Sequence, residues 1–219
     1  MEAVSNPNIE NSGLYALSLR KRLLDISGAI IGLGLSLPGI ALAAVAIKLE
    51  DGGPIFYTHE QIGLNGVPFK MHKLRSMREV ELDPFQEASP FKSKYDRRIT
   101  AVGKWMRRAS LDETPQFWNV LKGDMSLVGP RPNSPEKHRE IALIAGYDPN
   151  NYVASLTTVK PGLTGPEQVN GRGELQQSTA GIKARAEMEL AYSKQNSLSG
   201  DARILLKTVG VVLSGRGAF

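Results

Sequence analysis

Residues 23–51 read LLDISGAIIGLGLSLPGIALAAVAIKLED, and this stretch decides how the chain is built. No charged residue occurs from Ile26 to Ile47. As one helix, this run of about 22 residues would measure roughly 33 Å, which is long enough to cross a bilayer. Since so long an uncharged run is rare inside a soluble domain, the sequence predicts a membrane segment. A secretory signal peptide is the less favoured alternative: Ala44-Val45-Ala46 resembles a cleavage site, but the apolar run is too long.

The charges beside the segment argue against a simple crossing. Arg20-Lys21-Arg22 precedes it and Lys48 follows it, so the positive-inside rule places both flanks in the cytoplasm. Pro38, near the middle of the run, removes a backbone N–H and should bend the helix, and Ser36 can bond to the freed backbone groups. We therefore predict a re-entrant helix-break-helix over 19–50. A helix that spans the membrane remains the alternative.

The overall composition limits the classes of function. The chain has 219 residues, a net charge of +5 and no cysteine, which excludes disulfides, thiolate zinc sites and cysteine nucleophiles. The positive charge indicates an anionic partner. Nucleic acid is not expected, because aromatic residues make up only 6% of the chain and the membrane segment explains the charge better. The three histidines stand in no spacing typical of metal ligands.

After the apolar segment, the patterns predict mostly helices with small β elements. Residues 54–57 and 69–74 form a predicted hairpin around Asn65-Gly66. Residues 79–95 are expected to be a loop. The predicted helices cover residues 102–108, 112–121, 136–145, 183–195 and 201–213. In the last of these, one apolar face suits either a membrane surface or a packed core.

The stretch RRASLDETPQ, residues 107–116, sets Asp112 beside Glu113. A structural explanation exists, because Ser110 followed by Glu113 fits a capping box at a helix start. Alternatively Thr114 is the cap and Pro115 takes the first helical position. Acidic residues are favourable at a helix N-terminus in either case.

The basic residues around this pair favour a chemical role. Arg107 precedes it, and Arg131 lies in the stiff segment Gly129-Pro-Arg-Pro132, where its guanidinium suits bidentate binding of phosphate. Lys73 adds further positive charge. An aspartate kept ionised by such neighbours can attack phosphorus, so Asp112 is the candidate nucleophile. The Asp112–Glu113 pair is also the candidate site for Mg²⁺, which prefers oxygen ligands and substrate phosphates.

Several motifs resemble those of one enzyme family, in the same order and spacing. The most specific is SLDETPQFWNVLKGDMSLVGPRP at 110–132, and GGPIFYTHEQIGLNGVPFKMHKLRSM, KPGLTGPEQVNGR and SLSGDARILLKT accompany it. Nearly the whole chain, from Arg20 onward, resembles the bacterial sugar transferases known as monotopic phosphoglycosyl transferases. This family moves a phospho-sugar from a nucleotide diphosphate sugar to polyprenyl phosphate.

The resemblance implies an architecture and a location. It implies an N-terminal tail at 1–18, the re-entrant hairpin at 19–50, and a compact catalytic domain at 51–219 with amphipathic helices on the membrane surface. The enzyme would lie on the cytoplasmic face of the bacterial inner membrane and take part in the first membrane step of glycan synthesis. Its expected partners are a nucleotide sugar, undecaprenyl phosphate and the bilayer. The sequence leaves homo-oligomerisation open.

The resemblance also implies roles for individual residues. Asp112 would form a covalent phospho-sugar intermediate, and Glu113 would be the second acid, associated with Mg²⁺. The remaining matched positions are polar residues of the family's active site, with Arg131 the expected phosphate clamp: Lys73, Arg107, Arg131 and Asp201.

The chain departs from the family's pattern at a few positions. Gln61 stands in place of an arginine, Pro166-Glu167 in place of Trp-Ala, and Glu189 in place of an aspartate, while Leu37 separates Ser36 from Pro38. These departures leave the acid pair intact but bear on specificity and activity. They motivate an alternative hypothesis, a non-catalytic membrane-anchored partner or regulator on the same scaffold.

Overall fold

The computed structural model describes residues 15–78, 98–171 and 178–214, and it is mostly helical, as predicted. We number its elements in chain order. The helices are α1 Leu19–Asp51, α2 Ala101–Arg108, α3 Gln116–Lys122, α4 Pro135–Ala145, α5 Pro149–Leu156, α6 Pro166–Val169, α7 Thr179–Lys194 and α8 Leu198–Ser214. The strands are β1 Phe56–Ile62, β2 Pro68–Leu74, β3 Ser126–Val128 and β4 Gly162–Thr164. Two short 3₁₀ turns cover Leu64–Gly66 and Leu111–Glu113.

Helix α1 contains the apolar segment and continues through its proline. Ser18 caps it by accepting a hydrogen bond from the Lys21 N–H, and Gly52 ends it in a left-handed conformation. The predicted break at Pro38 is not seen, because residues 19–51 form a single helix. The predicted re-entrant path is not tested by this assignment and stays a prediction. The Ser36 hydroxyl does bond to the backbone, donating to the Leu33 carbonyl at 3.0 Å. By length and composition, α1 is long and apolar enough to cross a membrane.

Small residues let α1 pack closely on the rest of the protein along its length. A Cβ on Gly28 would come within 2.4 Å of the Leu127 side chain, and one on Gly32 within 2.3 Å of the Phe117 ring. Further along, Ala43 is fully buried. Close approach of this kind requires residues with little or no side chain.

Both ends of α1 contact the same folded body. Near its start, the Lys21 ammonium donates to the Val128 carbonyl at the end of β3. At its end, the Glu50 carboxylate accepts from the Ala101 N–H at 2.8 Å and so caps α2. The outward face of α1 carries exposed apolar side chains: Leu19, Leu23, Ile30, Ile31, Leu35, Leu37, Leu42, Val45 and Leu49.

Two small sheets support the site. Strands β1 and β2 pair antiparallel from Phe56 opposite Leu74 to Ile62 opposite Pro68, which confirms the predicted hairpin and lengthens its first strand. Asn65 has φ 56°, a left-handed conformation that asparagine tolerates in turns. Strands β3 and β4 are parallel, and neither is among the strands predicted from the sequence.

The other predicted helices are confirmed with ends shifted by a few residues, except that α3 begins at Gln116 instead of Asp112. The predicted loop at 79–95 lies outside the described residues. Helices α4, α5 and α7 enclose an apolar cluster of their own, which includes Ile141, Tyr152 and Ile182. A second cluster joins α1 to β3 and α3, and a third joins the end of α1 to β2 and α2.

Candidate active site

The two adjacent acids lie in a 3₁₀ turn, not in the first turn of a helix. Ser110 has φ 53° and makes no capping hydrogen bond through its side chain, so the predicted capping box is wrong. Thr114 is not the cap either, because its hydroxyl donates backward to the Leu111 carbonyl at 2.8 Å and α3 starts at Gln116. The left-handed Ser110 turns the chain sharply after α2, and this turn presents Asp112 and Glu113 together.

The acid pair is sheltered from solvent, and two cations lie beside Glu113. Asp112 is only 9% exposed. Glu113 forms an ion pair with Lys73 at 3.2 Å, and Arg131 lies 3.8 Å from the same carboxylate oxygen. Lys73 comes from β2 and Arg131 from the loop after β3, so the fold brings together three of the predicted site residues. The partly buried ammonium and guanidinium can bind a phosphate close to the two acids.

Arg107 is fixed at the edge of this group. Its guanidinium Nε donates to the Ser76 hydroxyl at 3.0 Å, two residues after β2 ends. The backbones of α2 and of this segment nearly touch, since a Cβ on Gly103 would lie 2.1 Å from the Ser76 carbonyl oxygen. Arg107 therefore has a defined position on α2, which contacts the 3₁₀ turn of the acid pair.

Backbone hydrogen bonds hold the Gly129-Pro-Arg-Pro132 loop rigidly. The Gly129 N–H donates to the Thr164 carbonyl at 3.0 Å, and the Gly162 N–H donates to the Pro130 carbonyl at 2.8 Å. The two segments approach so closely that a Cβ on Gly129 would lie 2.4 Å from the Lys160 carbonyl oxygen. The Gly129-Pro-Arg-Pro132 loop, predicted to be stiff because of its prolines, is thus also held by hydrogen bonds to β4.

Asp201, also predicted for the site, belongs to a different buried cluster. It is fully buried and accepts hydrogen bonds from Tyr15 at 3.0 Å, Lys21 at 2.5 Å and Tyr192 at 2.8 Å. Burial, together with the Asp201 charge, raises the pKa values of Tyr15 and Tyr192, so both remain donors. This cluster ties the start of α1 to α7 and α8, and among the described residues Asp201 does not line the cavity beside the acid pair.

That cavity has a volume of about 330 Å³ and opens beside Glu113. Its wall is mostly apolar and comes from the 3₁₀ turn and the two residues before it, α3, β3, β4, α6 and α8. Representative lining residues are Phe117, Leu127, Leu163, Leu205, Val209 and Val212. The sequence indicates the apolar face of α8 but not its position across from Glu113, which depends on tertiary packing.

The acid pair also fits a magnesium ion by its chemistry. The described residues contain no cluster of three or more His, Asp or Glu side chains suited to a metal. Mg²⁺ does not require one, because it keeps several waters and usually binds one or two carboxylates plus substrate phosphates. Asp112 and Glu113 provide such a pair beside the cationic groups that would receive phosphate.

Comparison with known proteins places the chain in a family. A model described as bacterial sugar transferase matches residues 16–215. The chain belongs to this family. A galactosyl transferase, CpsE, of Streptococcus agalactiae is 37% identical over 93% of this chain and 44% of its own length. A UDP-glucose:undecaprenyl-phosphate glucose-1-phosphate transferase of Caulobacter vibrioides is 39% identical over 93% of this chain and 73% of its own length.

A protein of Escherichia coli with the same name as the Caulobacter relative is 40% identical over 87% of this chain and 39% of its own length. The chain therefore spans less than half of two of these three relatives, and about three quarters of the third. The matched part contains the acid pair, Lys73 and Arg131.

Proposed function

We propose that the protein transfers a sugar 1-phosphate from a UDP-sugar to undecaprenyl phosphate, giving undecaprenyl diphosphate sugar and UMP. One observation carries the proposal: Glu113, which is adjacent to Asp112 in the chain and pairs with Lys73 and Arg131, lines an apolar cavity. The acids and cations suit a diphosphate, and the cavity suits the chain of a lipid acceptor. The names of the relatives from Caulobacter and Escherichia coli describe this reaction.

In the first step, a carboxylate oxygen of Asp112 attacks the phosphorus that bears the sugar. The bond from this phosphorus to the bridging oxygen breaks, and UMP leaves with the bonding electrons. Lys73 and Arg131 stabilise the negative charge on the phosphate oxygens. A bound Mg²⁺ would neutralise further charge on the diphosphate, with Asp112 and Glu113 as its protein ligands.

In the second step, a phosphate oxygen of undecaprenyl phosphate attacks the same phosphorus. The bond to Asp112 breaks, and its carboxylate is restored. The isoprene units next to the phosphate lie in the cavity along α8, which places the phosphate at the Glu113 end. Because most of the cavity wall is apolar, it would disfavour water beside Glu113 and so limit hydrolysis of the intermediate.

The first experiment tests the intermediate. The purified protein is incubated with Mg²⁺ and UDP-glucose or UDP-galactose labelled in the sugar-linked phosphate, then denatured. We expect label on the wild type and on the matched variant Asp124→Asn, whose carboxylate lies outside the acid pair, and none on Asp112→Asn. Release of UMP by Asp112→Asn at the wild-type rate would rule out Asp112 as the nucleophile.

The second experiment tests the acceptor site. Val212→Trp fills the cavity and should raise the KM for undecaprenyl phosphate while the first step remains close to the wild-type rate. Leu206→Trp changes an exposed side chain on the same helix and serves as the control. An unchanged KM in Val212→Trp would place the lipid chain elsewhere.

We further propose that α1 dips into the cytoplasmic leaflet of the inner membrane without crossing it. Contact of both helix ends with one folded body supports this, because the far end of a spanning helix would lie about 30 Å away across the hydrocarbon core. Since the chain has no cysteine, Arg20→Cys and Lys48→Cys each provide a single thiol. In spheroplasts an impermeant maleimide should label neither variant before lysis and both after it. Labelling of one variant before lysis would indicate a crossing.

A further inference from the structure

Glu189, whose carboxylate is fully buried on α7, holds the backbone of Arg131 beside the acid pair. Glu189 is 0% exposed. Its Oε1 accepts a hydrogen bond from the Arg131 N–H at 3.3 Å and lies 3.3 Å from the Arg185 Nε. Its Oε2 accepts from the Tyr152 hydroxyl at 3.1 Å. Both carboxylate oxygens thus have defined partners from separate elements.

A second buried acid completes this cluster. Glu167 on α6 is also 0% exposed, and its charge acts on both Arg185 and Glu189. Burial raises the pKa of the Glu189 carboxyl, and the Arg185 guanidinium opposes that change. The sequence departs from the family's pattern at both Glu167 and Glu189, and in the fold these two residues meet around one arginine.

Arg131 contacts both this buried cluster and the acid pair, so a single residue connects the two. Its backbone N–H binds Glu189, while its guanidinium lies 3.8 Å from Glu113. Its carbonyl accepts from the Asn133 side chain at 3.2 Å. A change in the reach of the side chain at 189 therefore moves the Arg131 backbone and, with it, the guanidinium. Misplacement of a substrate-positioning group by about 1 Å can cost about 100-fold in rate.

We propose that Glu189 is a positioning residue for phosphoryl transfer, which acts by setting the location of Arg131 relative to Glu113. The proposal rests on the proposed function, and it assigns the α4–α5–α7 helices a part in the chemistry although none of their side chains lines the cavity among the described residues. The position of Arg131 therefore depends on the length of the Glu189 side chain, and not only on its charge.

Two substitutions separate reach from charge. Glu189→Gln keeps the length and an oxygen that can accept from Arg131, but it removes a charge that balances Arg185. Glu189→Asp keeps the charge but withdraws the carboxylate by one methylene. A requirement for side-chain length and a requirement for charge therefore predict opposite rankings of the two variants. The rate of enzyme labelling should be higher in Glu189→Gln than in Glu189→Asp, whereas thermal stability should be higher in Glu189→Asp.

The measurement is the single-turnover rate of labelling from the labelled UDP-sugar, with the unfolding midpoint of each variant in the same detergent. We expect Glu189→Asp to label about 10–100-fold more slowly than the wild type. Glu187→Gln, an exposed glutamate on the same helix, is the matched control and should equal the wild type. Rates that follow stability in the same order would overturn the proposal.

A double substitution tests the route through Arg131 and does not require Glu189→Gln to fold. If Glu189 acts through Arg131, Glu189→Asp should cause no further loss in an Arg131→Ala background. Multiplying losses would show an independent role and overturn the proposal. A wild-type protein that takes no label would overturn this inference together with the proposed function. A labelled wild type with multiplying losses would overturn the inference alone.

Discussion

The buried ion pair between Lys21 and Asp201 gives the sharpest test of how the chain is held together. The Lys21 ammonium lies 2.5 Å from Asp201 and 3.7 Å from Asp25, and it also donates to the Val128 carbonyl at 3.1 Å. Its side chain is 4% exposed and that of Asp201 is 0% exposed. The pair joins the start of α1 to α8, so its loss should loosen the attachment of the helix.

The expected magnitude follows from what each substitution leaves buried. Lys21→Met removes the cation and leaves the Asp201 carboxylate with two tyrosine donors, so we expect a loss of about 3–5 kcal/mol in the free energy of unfolding. For a protein of this size that corresponds to a fall of about 6–20 °C in Tm. Asp201→Asn should cost less, about 1–3 kcal/mol, because Asp25 remains as a counter-ion to Lys21.

The assay is thermal unfolding in detergent, followed by circular dichroism, for both single variants and the double variant. The double variant should lose about 1–3 kcal/mol less than the sum of the singles, since the two side chains interact directly. Lys104→Met, at an exposed lysine on α2, is the control and should stay within about 0.5 kcal/mol of the wild type.

The same variants test the role of Asp201. The family resemblance implies that Asp201 belongs to the active site, whereas the structure places it in the buried cluster around Lys21. We expect Asp201→Asn to lose activity only as far as it loses folded protein. An Asp201→Asn protein with wild-type Tm but little labelling would refute the structural role. Additive losses in the double variant would refute the direct interaction.

Three further predictions follow from contacts and burial. Gly32→Ala should lower stability by about 1–3 kcal/mol because its Cβ would meet the Phe117 ring at 2.3 Å, whereas Gly34→Ala, which meets nothing within 4 Å, should not destabilise. His138 has its pKa lowered to about 3 by burial and by nearby positive charge, so stability should fall as pH drops from about 6.5 toward 3. Arg131→Lys should lower kcat/KM for UMP release by about 10–100-fold, since lysine lacks the planar pair of donors.

Each of these has a defined contrary result. Equal Tm values for Gly32→Ala and Gly34→Ala would show that α1 does not pack on Phe117. For His138, the unfolded state binds a proton below its ordinary pKa while the folded state does not until about pH 3. His138→Gln should therefore lose up to about 1.4 kcal/mol less stability per pH unit in this window. A His138→Gln curve parallel to the wild type would refute the buried neutral state. Wild-type kcat/KM in Arg131→Lys would refute a bidentate clamp.

Local patterns predicted the parts of the fold that depend on local physics. The Asn65-Gly66 turn and the alternation around it gave the β1–β2 hairpin. Helical periodicity gave α2, α4, α7 and α8 within a few residues. The same patterns missed the 3₁₀ turn at the acid pair. Ser110 adopts a left-handed conformation that no capping motif predicts, because the packing of α2 against the segment after β2 fixes where the chain must turn.

The sequence by itself determined that the chain carries an apolar helix, an acid pair and a stiff Gly-Pro-Arg-Pro segment, since charge-free length, residue chemistry and proline geometry are local properties. Only the tertiary structure decided which charges meet. In the fold, Glu113 pairs with Lys73 and Arg131. Asp201 pairs with Lys21, and Glu189 accepts a hydrogen bond from the Arg131 backbone. These contacts join residues far apart in the chain, and a buried charge selects its partner by three-dimensional proximity, because it is stable only beside an opposite charge or a hydrogen-bond donor.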